Sequence, residues 1–276
     1  MCRLLALASV RGISPVEWFD ALAEGSRRDY LAEEYYGFKS HDEGWGYALA
    51  LINSDLRLLH YRTSMPMWED RARLLPSELA QSPFALIAHT RKSSKGMPRG
   101  GLAAHPYSVS LGNGGVVYVA QNGGIDREAS ASLLKRCVDV GGVVDSYIYA
   151  LLLAERLEEM SMVDALENLQ YELAELGALK RITNTIALYV KPSDTGSRVE
   201  LGVVRSITSL REEVIRYGEL YAHFDDRGIV VASSTIAGVA LKQGLSPKLS
   251  PLARNLVLTA SLLSRGVEVS WRELEY

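Results

Sequence analysis

The sequence begins Met-Cys-Arg, and Cys2 is one of only two cysteines in 276 residues. A thiol reacts as its thiolate, so it needs a nearby base or a lowered pKa. Removal of Met1, which is favoured when the next residue is small, leaves Cys2 with a free α-amino group. Such an amine has a pKa of about 8 in short peptides and could act as the base near neutral pH. The alternative is a small apolar residue that begins a buried strand, and Cys2 taken alone favours this alternative.

A second chemical signal is the Asn-Gly pair within "VVYVAQNGGID". Asn-Gly normally indicates a hairpin turn, but here a helix beginning near Asp126 is predicted to follow instead of a second strand. The side-chain amide of Asn122 and the backbone N–H of Gly123 could then converge on one point. Two converging donors at the end of a strand form a plausible oxyanion hole.

Arg91 lies in "AHTRKSSKG", which we expect to be a strand that ends at His89 and continues as a polar loop. A guanidinium offers paired donors that suit a carboxylate or a phosphate. The alternative is a solvated basic loop. Phosphate binding is weakly indicated, because the segment lacks the glycine, lysine and serine order of a P-loop.

Asp145 begins a predicted helix in "GGVVDSYIYALLLAERL". Its carboxylate could bind the ammonium group of a substrate. A plain N-cap role is the alternative, and Asp145 by itself favours that alternative.

The segment "HDEGWGYAL" holds His-Asp-Glu at 41–43, directly before a predicted strand. The other histidines show no paired ligand spacing, so we predict no metal site. Gly44 and Gly46 flank Trp45, which indicates close approach of another backbone segment at the start of the strand.

Taken together, these segments resemble the class II glutamine amidotransferase domain of the stand-alone type, which belongs to the N-terminal-nucleophile hydrolases. The resemblance covers roughly residues 2 to 235 and rests on motifs in the family's order. The matching segments are Cys2, "HDEGWGYA", "AHTRKSSKG", "AHPY" at 104–107, "QNGGI" and the region of Asp145. Lys92 stands where the family commonly has an aromatic residue, and Val144 and Tyr147 replace the outer residues of its Ser-Asp-Ser-Glu pattern.

The resemblance implies a role for each matching position. Cys2 would be the catalytic nucleophile, and Asn122 with Gly123 would form the oxyanion hole. Arg91 would bind the α-carboxylate of glutamine and Asp145 its α-amino group. It also places Trp45, Gly46 and His105 among the substrate-binding residues, and it implies neither a metal nor an organic cofactor.

The predicted elements agree with this family. Strands come first, then two or three helices that include residues 143 to 176 with a break near Ser161, and then strands again. "GWGYALALI" and "LRLLHYR" are predicted to form a hairpin through Asn53, Ser54 and Asp55. We therefore expect an α+β fold, a four-layer αββα sandwich of two largely antiparallel sheets between helical layers. The family fold that the resemblance implies is the same.

Composition restricts the class of partner. The 30 basic and 33 acidic residues give a net charge of −3, so no basic field for nucleic acid is expected. The apolar run at Leu4 to Val10 is too short to span a membrane, and the helix predicted after Arg11 argues against a signal peptide. We expect a cytoplasmic protein, with Cys137 as a packing residue on a helix.

We expect residues 1–276 to form one such domain, with 236–276 as a C-terminal extension packed on it. The predicted activity is release of ammonia from L-glutamine through a γ-glutamyl thioester. Ammonia could pass to a separate synthetase subunit, since no acceptor domain is recognised. Alternatives are hydrolysis of another γ-glutamyl amide or peptide bond, as similar stand-alone members perform in ergothioneine biosynthesis, and a non-catalytic binding or regulatory subunit.

Overall fold

Two antiparallel β-sheets lie face to face at the centre of the molecule, and helices cover their outer faces. The computed structural model describes residues 2–52, 55–74, 82–94, 96–193, 196–246 and 248–276. This arrangement confirms the predicted α+β sandwich.

The first sheet has seven strands. Their bounds are β1 (Cys2–Ser9), β2 (Trp45–Ile52), β3 (Leu56–Thr63), β4 (Phe84–Arg91), β9 (Leu220–Asp225), β10 (Gly228–Ser233) and β11 (Ser250–Pro251). Their order across the sheet is β11-β9-β10-β1-β4-β2-β3, so the strand that carries Cys2 lies at the centre between β10 and β4. The β2–β3 hairpin is confirmed, although Asn53 and Ser54 of its turn lie outside the described residues.

The second sheet has six strands. Their bounds are β5 (Tyr107–Ser110), β6 (Val116–Ile125), β7 (Leu179–Ser193), β8 (Gly196–Arg205), β12 (Leu256–Leu262) and β13 (Val267–Glu273). Their order is β13-β12-β8-β7-β6-β5. Residues 236–276 therefore supply strands of both sheets, and the ambiguous segment "NLVLTASLLSRG" contains β12, which pairs with β8.

The longer helices form the two outer layers. The bounds of the helices are α1 (Pro15–Arg27), α2 (Tyr30–Tyr36), α3 (Arg127–Ala131), α4 (Asp145–Leu157), α5 (Met162–Glu175), α6 (Glu212–Tyr217) and α7 (Ser234–Lys242). Two short ones, α2 and α6, pack in a small cluster of their own. Apolar residues of α1 and α7 pack on the first sheet, and those of α4 and α5 pack on the second. Ser14 caps α1 as predicted, accepting a hydrogen bond from the Glu17 N–H. None of the helices in the described ranges combines the length and apolarity needed to cross a bilayer.

Strand alternation decides which side chains face the space between the sheets. In β1, Leu4 and its alternate neighbours join the core between the sheets, whereas Leu5 and Leu7 pack against the α1 layer. Because successive side chains of a strand point to opposite faces, Cys2 belongs to the inter-sheet face and Arg3 to the helix-covered face. The first residue of a central strand thus lies at one end of the inter-sheet core.

Cys137 differs from the prediction. It is exposed and lies in an irregular segment, because α3 ends at Ala131 after little more than one turn. The packing prediction for Cys137 is therefore wrong.

Candidate active site

Arg91 lies directly opposite Cys2 in the pairing of β4 with β1. The strand continues two residues beyond the predicted end at His89, because Thr90 and Arg91 pair with Arg3 and Cys2. Directly opposed residues of antiparallel strands place their side chains on the same face. The prediction that Arg91 lies in a loop is therefore wrong, and the strand holds it beside the thiol.

The Arg91 guanidinium is nearly buried and only partly hydrogen-bonded. Its Nη2 donates to the Pro98 carbonyl oxygen at 2.8 Å. Its Nη1 is buried and has no partner among the described residues. A buried charged donor without a partner is costly, so this nitrogen is available for an acceptor such as a ligand carboxylate.

Asn122 links the second sheet to the nucleophile strand. The backbone N–H of Cys2 donates to Asn122 Oδ1 at 3.0 Å, and both residues are buried. Because Oδ1 accepts this hydrogen bond, the NH₂ group of the Asn122 amide is left to donate to a ligand. Asn122 itself lies within β6, opposite Asn184 of β7.

Gly123 lies within β6 instead of after the end of the strand. Its φ is 112°, and the β6–β7 register shifts between Gly123 and Ile125. A Cβ atom at Gly123 would lie 1.8 Å from the Ile182 carbonyl oxygen. Only glycine fits this position, since both the backbone conformation and the neighbouring strand exclude a side chain. The Asn-Gly pair therefore marks a bulge in a strand that continues.

The Asp145 carboxylate lies against β6 directly beyond this bulge. Its Oδ2 accepts a hydrogen bond from the Ile125 N–H at 3.3 Å, and a Cβ atom at Gly124 would lie 2.3 Å from the same oxygen. The cap of α4 is Val144, which makes no side-chain cap, so the N-cap interpretation of Asp145 is wrong. Instead, the first residue of α4 brings a nearly buried carboxylate beside the Asn122–Gly123 segment.

His105 packs against His89 at this end of the inter-sheet space. Their ring centroids are 4.1 Å apart, and neither ring has a hydrogen-bond partner for either nitrogen in the described part of the chain. Burial lowers the pKa of both histidines well below the usual value, and nearby positive charge from Arg91 adds to that effect. Both rings are therefore neutral at physiological pH.

Gly46 allows this close packing. It pairs with His89, and a Cβ atom at Gly46 would lie 2.4 Å from the His105 carbonyl oxygen. The backbone approach predicted around Trp45 thus occurs at Gly46.

The Trp45 side chain lies on the other face of the first sheet. Its indole N–H donates to Asp70 Oδ2 at 3.0 Å, and its ring meets the Phe19 ring edge to face at 5.9 Å. The structure therefore does not bring Trp45 together with Cys2, and the indole supports the α1 layer. Alternation along β2 explains why its neighbour Gly46 faces the site and Trp45 does not.

A buried polar network beneath Cys2 was not predicted from the sequence. Arg3 Nε and Nη2 donate to the Asp29 carboxylate, and His41 Nε2 lies 2.7 Å from Asp29 Oδ2. Burial alone would raise the pKa of Asp29, but Arg3 and the hydrogen bond from His41 lower it overall. One feature of the sequence could have indicated this network. Arg3 directly follows the candidate nucleophile and, by strand alternation, shares a face with apolar residues, so its charge needs a buried partner.

No cluster of three or more His, Cys, Asp or Glu side chains suited to a metal occurs among the described residues. The chemically competent groups that the fold brings to one region are a thiol, an amide, a guanidinium, a carboxylate and two neutral imidazoles. Such a set can supply a nucleophile, a donor for an oxyanion and opposite charges for a zwitterionic ligand.

Comparison with known proteins gives a match of structure. No family model matches the chain, and neither does any curated protein. A solved structure described as the allosteric regulatory enzyme of purine biosynthesis matches over 98% of this chain, with a TM-score of 0.55 and 16% sequence identity. This chain spans about half of that one, 48% of its length. This similarity shows a shared fold, so the two-sheet sandwich predicted from the sequence is confirmed.

Proposed function

We propose that this protein hydrolyses the side-chain amide of L-glutamine, with Cys2 as the nucleophile after removal of Met1. The observation that carries the proposal is the hydrogen bond from the Cys2 backbone nitrogen to Asn122 Oδ1 at 3.0 Å. It joins the candidate nucleophile to the candidate oxyanion residue across the two sheets. The nitrogen concerned is the atom that becomes the free α-amine.

In the proposed reaction, the α-amine takes the proton from the Cys2 thiol. The thiolate attacks the amide carbon and forms a tetrahedral oxyanion, which accepts hydrogen bonds from the Asn122 NH₂ group and the Gly123 N–H. The amine returns the proton to the leaving nitrogen, and ammonia departs with formation of a γ-glutamyl thioester. Water then attacks the thioester, releasing glutamate and restoring the thiol. Protein groups carry each step, and no cofactor takes part.

Substrate orientation would depend on two opposite charges, those of Arg91 and Asp145. Arg91 Nη1 is available for the α-carboxylate. The Asp145 carboxylate lies 3.9 Å from the largely exposed Lys180 Nζ, and the α-ammonium would take the place of that lysine beside Asp145. Holding both ends of glutamine would place its amide near the thiol and make the attack effectively intramolecular. Gly46 and His105 would shape the adjoining wall.

The acceptor of the ammonia is a separate matter. We propose residues 1–276 as one domain, which is supported by strands from both chain ends entering the two sheets. We propose a synthetase subunit as the acceptor of the ammonia. A second candidate function is hydrolysis of another γ-glutamyl amide, which the same nucleophile and donors would serve.

Intact-mass measurement tests the proposal. The purified protein is weighed before and after incubation with a glutamine-mimicking diazoketone, which alkylates a nucleophile within a glutamine pocket. We expect loss of Met1 and a single adduct on Cys2, absent from Cys2→Ala. Cys137→Ala is the matched control, because Cys137 is the exposed thiol. This variant should still form the single adduct on Cys2, and excess L-glutamine should slow that labelling.

Two other outcomes are informative. Loss of Met1 without an adduct would favour the second candidate, a different γ-glutamyl amide as substrate. Retention of Met1 with no labelling would overturn the mechanism and favour a non-catalytic binding subunit.

A further inference from the structure

A cavity of about 280 Å³ adjoins the candidate active site. Its walls are the segment around Pro98, the start of α4 and the side chains of Arg62, Tyr107 and Tyr147. This volume lies near the lower end of the range for small-molecule sites.

The cavity lining includes a neighbour of each residue proposed to hold an end of glutamine. The Pro98 carbonyl, whose residue lines the cavity, accepts the hydrogen bond from Arg91. Val144, also in the lining, directly precedes Asp145. A ligand in the cavity would therefore contact the backbone that positions the Arg91 and Asp145 side chains.

The charge of the lining is positive. Arg62 and Arg99 line the cavity, and no aspartate or glutamate of the described residues does. Arg99 is mostly exposed and lies 3.5 Å from Glu43, so solvent and that carboxylate screen its charge. Arg62 is half-buried and pairs with no carboxylate in the described ranges; its Nη1 lies 3.4 Å and 3.3 Å from the Leu102 and Ala104 carbonyl oxygens.

Arg62 is held over an aromatic wall. Its Cζ lies 5.4 Å from the centroid of the Tyr107 ring, and that ring lies 5.6 Å from the Tyr147 ring. Burial raises the pKa of Tyr107, and the positive charges of Arg91 and Arg62 oppose that rise. Tyr107 therefore lies within the electrostatic influence of both Arg91, in the candidate active site, and Arg62, in the cavity lining.

We propose that this cavity is an anion-binding subsite, in which Arg62 binds a carboxylate or phosphate group of a molecule seated beside the glutamine site. A half-buried guanidinium without a carboxylate partner supplies the charge, and the tyrosine rings supply an apolar wall. The anionic group has two possible sources. It can be part of the substrate, which would extend the proposed function to glutamyl compounds with an additional carboxylate, or it can belong to a separate anionic molecule.

The first arm of the test needs no catalysis. Binding of inorganic phosphate is measured by calorimetry for the wild type, Arg62→Gln, Arg62→Lys and Arg57→Gln. Arg57 is an exposed arginine of the same strand and is the matched control. We expect one saturable site, at least tenfold weaker binding in Arg62→Gln, and near wild-type binding in Arg62→Lys and Arg57→Gln. Circular dichroism and melting confirm that each variant is folded.

The second arm, which rests on the proposed function, identifies the source of the anionic group. The value of kcat/KM is compared between γ-glutamylglycine and γ-glutamylglycinamide, and between glutaminylglycine and glutaminylglycinamide. A preference of fivefold or more for either free carboxylate, lost in Arg62→Gln, assigns the anionic group to the substrate. Arg62-dependent phosphate binding without such a preference assigns it to a separate molecule.

The proposal is overturned if Arg62→Gln changes neither phosphate binding nor the carboxylate preference. Failure of the proposed function is a different result. In that case no glutamyl compound is hydrolysed, while phosphate binding that depends on Arg62 persists and still supports the subsite.

Discussion

The Arg3 guanidinium contacts the Asp29 carboxylate twice, from Nε to Oδ2 at 2.5 Å and from Nη2 to Oδ1 at 2.9 Å. Both side chains are fully buried. Arg3 directly follows Cys2 and extends to the opposite face of β1, where it also donates to the Tyr217 carbonyl oxygen and to Ser234. The pair therefore anchors the start of the strand whose other face carries the candidate nucleophile.

Asp29→Asn should destabilise the protein by about 3–5 kcal/mol, because it leaves the Arg3 charge buried without its counter-ion. Urea unfolding measures the loss. The double variant Arg3→Met with Asp29→Asn should lose much less than the sum of the two single variants, since it removes the unpaired charge. Asp225→Asn is the control, because its partner Arg227 is largely exposed and the unfolding midpoint should hardly move. Additive losses in the double variant would show that the two residues are not energetically coupled.

The stability of the protein should fall as the pH decreases from about 6.5 to about 4. Burial lowers the pKa of His41 to about 4, and the Asp29 hydrogen bond only partly opposes this. In this range the unfolded chain binds a proton at His41 that the folded chain does not, so the free energy of unfolding rises with pH. A single group shifted this far contributes about 3 kcal/mol.

Urea unfolding between pH 4 and pH 7.5 tests this pH dependence. The buried His89 and His105, whose pKa values are also lowered, add to the slope in the same direction. His41→Gln should therefore reduce the slope by about one proton without abolishing it. An unchanged slope in His41→Gln would contradict the assignment.

Much of the site could be predicted from the sequence. Residue types indicate which reactions are possible, and the alternation along a strand indicates which face of the sheet each side chain lies on. The roles predicted for Cys2 and Asn122 follow from residue type, and the sandwich follows from strand periodicity. The separation of Trp45 from Gly46 could also have been predicted, since adjacent strand residues face opposite sides. The position of Arg91 required the register with β1, which lies 89 residues away in the sequence.

Other features depend on contacts that no local pattern encodes. The Asp29 carboxylate joins Arg3, His41 and Thr235, and the last of these is 206 residues distant. From the sequence Asp29 has only the pattern of a helix cap, which it also is, since Oδ1 accepts from the Ala32 N–H. Its second role emerges only when three chain segments meet in the core.

Gly123→Ala should be strongly destabilising, by roughly 3 kcal/mol or more, because the new Cβ atom would overlap the Ile182 carbonyl oxygen and the φ of 112° strains an L-residue. Thermal and urea unfolding measure the loss. Gly196→Ala is the matched control: Gly196 lies in β8 with a φ of 128°, and no atom of the described residues lies within 4 Å of the added Cβ. The control should lose only the conformational cost, about 1–2 kcal/mol. Equal losses for the two variants would show that the contact with β7 contributes nothing.

Arg91→Ala should raise KM for L-glutamine by roughly 10- to 100-fold, because it removes charge-assisted hydrogen bonds to the α-carboxylate. The same variant should raise KM far less for amides that lack the α-carboxylate, because those amides have no group to bind Arg91 Nη1. This nitrogen is buried and has no partner among the described residues. Steady-state kinetics with both classes of amide, for Arg91→Ala and the exposed-site control Arg57→Ala, measure the difference. An equal rise for both amides would show that Arg91 acts through its hydrogen bond to Pro98, holding the loop, and does not bind the substrate.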